Sequence, residues 1–200
     1  MDEISVTNRV ELCGVLAGAP EFSHAGRGEV FYTFPLETQR LSGAVDRINI
    51  IIRQGLLMDE PPELGKIRVL GELRSFNNKH GQGAKLVITV FARELQFCED
   101  QDENFVELTG AICKQPNLRT TPMGRDICDL MLAVNRRYGR SDYLPCITWG
   151  LKARAAATWQ VGDIIRLTGR IQSRSYIKLI DNEPIEKTAF EVSVVDANPV

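Results

Sequence analysis

Apolar and polar residues alternate along much of the chain. Val106-Glu107-Leu108-Thr109, closed by Gly110-Ala111-Ile112, has the period of a strand with one buried face. Pro116 ends that run. A second strand is predicted from Asp126 to Val134, with Leu130, Leu132 and Val134 on one face, and a third from Tyr143 to Trp149. Residues 152–159 are Ala-rich and lack a β-branched run, so the pattern there predicts a short helix, with Trp159 plugging the core. Gly162-Asp163 opens a long fourth strand through Ile164, Leu167 and Ile171. Residues 181–186 (D-N-E-P-I-E) predict a turn, and Phe190 to Val194 a fifth strand.

The first half follows the same order. Its strands are predicted near 8–17, 30–38, 46–53, 66–76 and 85–96. Pro61-Pro62 limits any helix in 55–65 to about two turns, and the glycine-rich segment 77–83 predicts a hairpin tip. Five strands with one helix between the third and fourth is the order of an OB-fold, a partly open Greek-key barrel. The expected fold is therefore all-β: two tandem five-stranded OB-folds, each with a short helix between strands 3 and 4. The expected boundaries are residues 1–98 for the N-terminal copy, 99–103 for an acidic linker and 104–200 for the C-terminal copy.

A direct repeat supports two copies. Residues 8–14 read N-R-V-E-L-C-G and residues 104–110 read N-F-V-E-L-T-G, an offset of 96. The same offset pairs Pro20 with Pro116, Leu36 with Leu132, Arg40 with Arg136 and Asp46 with Asp142. It drifts to 98 where Gly71 faces Gly169. A repeat of ~100 residues is the size of a small domain and too long for a solenoid unit.

Composition narrows the function. No apolar run reaches the ~20 residues of a membrane span, and the acidic N-terminus lacks the apolar stretch of a secretory signal. Five cysteines, odd in number and without a C-x-x-C, predict reduced thiols in a cytoplasmic protein, neither disulfides nor a zinc site. His24 and His80 fall in predicted loops. No phosphate-binding loop, H-E-x-x-H or Ser/His/Asp arrangement is present, and the acidic residues around Pro61-Pro62 read as a solvated loop, so no enzyme, cofactor or metal is expected. Net charge is −2, but residues 1–100 carry −3 and residues 101–200 carry +1. Basic residues of the second half cluster at Arg136, Arg137 and Arg140 and at Arg170, Arg174 and Lys178, and local arrangement governs the field more than the total does.

N-x-V-x-L-x-G at 104–110, Pro116-Asn-Leu-Arg119-Thr-Thr-Pro122-Met-Gly124, Leu132-Ala-Val-Asn135-Arg136 and Gly169-Arg-Ile-Gln-Ser-Arg174-Ser-Tyr176 follow one another in order. Together they resemble the bacterial single-stranded DNA-binding protein family over nearly all of 104–195. The first copy resembles it weakly, through its opening strand, Pro20 and Gly71. The resemblance implies a tandem OB-fold member whose ligand is single-stranded DNA. It implies that bases stack on Tyr138, Tyr143, Trp149 and Tyr176 while Arg136, Arg137, Arg140, Arg170, Arg174 and Lys178 track phosphates, with Arg119 and Arg125 adding to the groove. Stacking suits any base, because every base has a π face. Family assemblies usually present four OB-folds, so the resemblance implies a homodimer. It also implies a role in replication, recombination or repair. Many members carry a tail with an acidic, partner-recruiting tip; this chain reads Asp196-Ala-Asn-Pro-Val200 after the fifth strand, so no such recruitment is expected.

In the first copy the repeat offsets replace Tyr138, Tyr143, Trp149 and Tyr176 by Ser42, Arg47, Arg53 and Asn78. Arg40, Arg47, Arg53, Arg74, Phe76 and Lys79 leave it a weaker set of contacts, and Phe31, Tyr32 and Phe34 are expected in its core or an interface. The expectation is a gripping second copy and a first copy that serves assembly. The alternative is a primosome-type OB-fold adaptor that acts mainly through protein contacts.

Overall fold

The computed structural model describes residues 7–57, 65–78, 85–136, 139–180 and 183–200, without the side chains of residues 178 and 180. The strands are β1 (Asn8–Leu16), β2 (Glu21–Gly26), β3 (Glu29–Gln39), β4 (Val45–Arg53), β5 (Lys66–Asn77), β6 (Leu86–Cys98), β7 (Glu103–Ile112), β8 (Asn117–Thr120), β9 (Asp126–Asn135), β10 (Ser141–Trp149), β11 (Ile164–Ile180) and β12 (Glu183–Pro199). One 3₁₀ turn (Gln54–Leu56) follows β4, and one helix, α1 (Leu151–Ala156), follows β10.

Each half closes in the same way. The first runs β2-β3-β4-β6-β5-β1 with β3 also paired to β1, and the second runs β8-β9-β10-β12-β11-β7 with β9 also paired to β7. The last strand of each half lies parallel to the third main strand, with Ile50 opposite Val90 and Cys146 opposite Val192. Apart from β2 and β8, this is the closed path of an OB barrel, and the fold is all-β with tandem OB-folds. Two compact units result. One comprises Arg9–Arg74 and Thr89–Phe105; the other comprises Val106–Val200 with the described residues of Met1–Asn8 and Ser75–Ile88.

Alternation fills the cores. On β4, Ile48, Ile50 and Ile52 are buried while Arg47 and Arg53 face out. Each such buried side chain contributes about 1.5–3 kcal/mol. Val106 and Leu108 on β7, Leu132 and Val134 on β9, Leu144 on β10 and Ile165 and Leu167 on β11 fill the second core. The repeat's glycines mark close backbone approach. A Cβ on Gly14, Gly71, Gly110 or Gly169 would come within 2.2, 2.3, 2.7 or 2.4 Å of a carbonyl oxygen on a neighbouring strand.

Several expectations change. The pattern did not disclose β2 and β8, which are short and largely exposed, so no core face stamps an alternation on them. Residues 183–186 are not a turn: in β12 they pair with 177–180 of β11, and the buried residues of β12 are confined to Val192, Ser193 and Val194. Residues 181–182, the loop at 58–64, His80 and the hairpin tip at 79–83 lie outside the described residues. Helix α1 ends at Ala156, and its buried residues are Ala153 and Ala156; Trp159 lies beyond it, half-buried. The thiol expectation also needs correction. Cys13 and Cys98 form a disulfide across 85 residues of sequence, because the order β6-β5-β1 brings the end of β6 within reach of β1. Cys113, Cys128 and Cys146 are free. Among the described residues no helix is long and apolar enough to cross a membrane, and no group of His, Cys, Asp or Glu could hold a metal ion.

Candidate nucleic-acid interface

Strand β10 carries the central candidates. Asp142, Leu144, Cys146 and Thr148 face the core, which turns Tyr143 and Trp149 outward on the same face. Tyr143 is 51% exposed and Trp149 39%. The Tyr143 backbone is pinned within its compact unit, where its N–H donates to Ser75 Oγ at 2.7 Å and the Ser75 N–H donates to Asp142 Oδ1 at 2.7 Å.

Trp149 borders a concavity with Arg125, Asp126, Leu151 and Arg154. Its floor is tied down locally: the Gly150 N–H donates to the Asp126 carbonyl at 2.8 Å. Gly150 has φ 60° and Gly124 φ 75°, backbone that glycine adopts readily. Hydrogen bonds from Arg154 and Thr120 hold the Asp126 carboxyl below its ordinary range. Arg125 is exposed, and its side chain has no partner among the described residues. Arg154 is the neighbour that sequence reasoning missed; it lies five residues past Trp149 on a helix expected to serve only the core.

Strand β11 supplies a second row. Its pairing with β12 runs without a shift from Gly169 to Ile180. Arg170, Gln172, Arg174 and Tyr176 therefore share the face opposite buried Ile171. The Arg174 guanidinium lies 5.9 Å from the Tyr176 ring centre, and Glu191 stands 3.8 Å from Arg174 Nε. Arg170 is exposed.

Other candidates are engaged elsewhere. Arg136 donates two hydrogen bonds to Asp142, one at 2.7 Å, and Asp142 is fully buried. The Arg136 N–H also donates to the Arg140 carbonyl, while the Arg140 side chain is exposed and without a carboxylate partner among the described residues. Arg119 is held by Asp129 at 2.6 Å, which raises its pKa further. Arg137 and Tyr138 lie outside the described residues, as does the Lys178 side chain.

In the first copy, Arg40 repeats the Arg136 arrangement, with its Nε 2.6 Å from Oδ2 of fully buried Asp46. Arg47 pairs with Glu37 at 3.3 Å. Arg53 and Arg74 place their guanidinium carbons 5.8 and 5.9 Å from the Phe91 ring centre. Phe76 is 49% exposed, and Lys79 lies outside the described residues. Phe34 is buried, whereas Phe31 and Tyr32 are only half-buried.

Comparison with known proteins places this geometry. The model of the single-strand binding protein family matches residues 103–198. The single-stranded DNA-binding protein of Clostridium tetani is 38% identical over 80 residues, covering 36% of this chain and 55% of its own. Single-stranded DNA-binding protein B of Bacillus subtilis is 32% identical over 110 residues, covering 43% of this chain and 97% of that protein. The wild-type single-stranded DNA binding protein from Thermus aquaticus shares the fold, with a TM-score of 0.78 at 22% identity, over 98% of this chain and 93% of that one. The chain spans about half the length of most curated relatives it matches. With nearly all of the Bacillus subtilis protein covered at this identity, the chain belongs to the single-strand binding protein family.

Proposed function

We propose that this chain binds single-stranded DNA without reading its sequence and without catalysis, in replication, recombination or repair. The observation that carries this reading is the pair of outward rows on β10 and β11. Tyr143, Trp149 and Tyr176 offer ring surface, Arg174 lies beside Tyr176, and Arg170 shares the same face of β11 further along the strand. Bases stack on the rings while guanidiniums meet phosphates and base faces. Arg125, Arg140 and Arg154 extend the positive frame, and Tyr138, Arg137 and Lys178 join it on the strength of the sequence. Arg136 acts mainly by fixing the turn through Asp142, and Arg119 by holding Asp129. The unit of residues 104–200 grips the strand. Two chains pair into a homodimer with four OB-folds, which sedimentation should register as twice the 22.4 kDa of one chain.

In a Trp159→Phe background, oligo-dT should quench Trp149 emission strongly and duplex DNA weakly, with affinity falling as salt rises. Tyr143→Ala and Tyr176→Ala should each cost about 1–3 kcal/mol of binding. Quenching that is absent, or indifferent to salt, overturns the reading.

A further inference from the structure

The second barrel carries a two-stranded arm whose faces differ in chemistry. Beyond Gly169, β11 pairs with β12 alone, and before Val192, β12 pairs with β11 alone. The register holds to the tip, so residues opposite one another share a face. One face continues the basic and aromatic row, with Arg174 opposite Ala189 and Tyr176 opposite Lys187. The other runs outward from the buried pair Ile171 and Val192. Past Ser173 and Phe190 it becomes aliphatic. Ile177 is 72% exposed and Leu179 68%, and exposed Pro184 stands opposite Leu179. Glu186, opposite Ile177, is the one charged side chain on this face of the arm among the described residues.

Two observations limit what can cover that face. Its area is small. A stable protein pair needs about 800 Å² from each partner, and three aliphatic side chains on a ribbon two strands wide fall far short, so a second copy of the chain fits poorly. The face also backs directly onto the candidate interface. Leu179 lies only three residues beyond Tyr176, about 10 Å along the strand. A ligand held at Tyr176 therefore reaches the aliphatic face at the edge of the arm. DNA that forks from single strand into duplex has matching parts. Its unpaired strand offers bases and phosphates, and its terminal base pair offers a flat apolar plane. Leu, Ile and Pro are side chains that proteins press between base steps to unstack them. Glu186 repels phosphates, so the base-pair plane suits this face better than the duplex backbone does.

We propose that the arm recognises the junction between single- and double-stranded DNA. The unpaired strand follows the Tyr176 face, while Ile177, Leu179 and Pro184 cover the terminal base pair and loosen it. The proposal rests on the single-stranded DNA reading of this copy and adds a second ligand feature, the duplex end, on a face that reading does not use.

The full chain, titrated with a DNA hairpin that carries an oligo-dT tail at either end, tests this. The base pair beside the tail contains 2-aminopurine, whose emission rises on unstacking. With at least one tail polarity, the tailed hairpin should bind roughly tenfold more tightly than oligo-dT of the tail's length, the gain from burying about one aliphatic side chain. The emission should rise on binding. Ile177→Ser with Leu179→Ser changes exposed side chains and should leave the fold intact by circular dichroism. The pair should abolish both the gain and the rise, while oligo-dT affinity stays within about twofold. Tyr176→Ala should weaken both ligands alike. Equal affinity of the unaltered chain for tailed hairpin and oligo-dT overturns the proposal and leaves the single-strand reading standing. A serine pair that weakens both ligands alike has the same consequence, since the face then belongs to the strand groove. A serine pair that lowers the sedimentation coefficient of the free protein assigns the face to a second copy and also overturns the proposal. Failure of the unaltered chain to bind oligo-dT overturns the single-strand reading itself, and this one with it.

Discussion

At the residue scale, one carboxylate decides what the basic clusters mean. Asp142 is fully buried, and it accepts from Arg136 and from the Ser75 N–H. Asp46 is equally buried, and its hydrogen bond raises the Arg40 pKa further. Removing one partner of a buried pair leaves an uncompensated charge, at about 3–5 kcal/mol. Asp142→Ala should therefore lower the unfolding free energy in urea by about 3 kcal/mol. Arg140→Ala, on an exposed side chain, should change it by less than about 0.5 kcal/mol and weaken DNA binding instead. Equal stability of the two variants would show that the pair does not hold the turn. The sequence carried both readings of Arg136. Its place in a basic run points to phosphate, and its joint recurrence with Asp142, as Arg40 with Asp46, points to structure. The second signal is the better guide, because phosphate contact alone gives no reason to keep an acid six residues away in both copies.

At the scale of elements, the barrel strands were legible because each has one buried face, and burial imposes the alternation that reveals it. The arms of β11 and β12 were not: beyond about residue 174 most side chains on both strands are exposed, so nothing selects a period. β2 and β8 escaped for the same reason. In the first copy the sequence assigns Phe31 to the core or an interface and does not single out Phe91, yet both rings are half-buried, with centres 6.0 Å apart. The resemblance directs attention to fixed positions, and an aromatic moved to the neighbouring strand keeps its place in space while changing its place in sequence. The paired glycines were legible as a repeat, but their cause is a contact. An alanine Cβ at residue 169 would sit 2.4 Å from the Ser193 carbonyl oxygen, whereas one at residue 55 meets nothing within 4 Å. Gly169→Ala should therefore cost about 1–3 kcal/mol through backbone displacement. Gly55→Ala should be neutral or stabilising by up to about 1 kcal/mol. Thermal unfolding of the two variants separates contact from chain entropy: if both shift alike, close approach is not what fixes the glycine.

At the scale of the whole molecule, the cysteines show what count and spacing leave out. An odd number without C-x-x-C reads as reduced, yet Cys13 and Cys98 are joined because the order β6-β5-β1 sets the end of β6 near β1, a relation between strands that spacing cannot express. Burial pushes the Cys113, Cys128 and Cys146 thiols up, so none is a ready nucleophile in the folded chain. Alkylation of denatured, unreduced protein should therefore add three groups per chain, and prior reduction should raise that to five. Five groups without reduction would remove the cross-link. Both bridged residues belong to the unit of Arg9–Arg74 and Thr89–Phe105. A link spanning 85 residues restricts the unfolded chain by about 4.6 kcal/mol in the chain-entropy account. Its loss should thus act on that unit. Hydrogen exchange of the reduced protein should speed in β1, β3 and β4 and stay slow in β9 and β10. Equal acceleration in both sets would mean that the two barrels open as one cooperative body, and that the cross-link stabilises the chain as a whole.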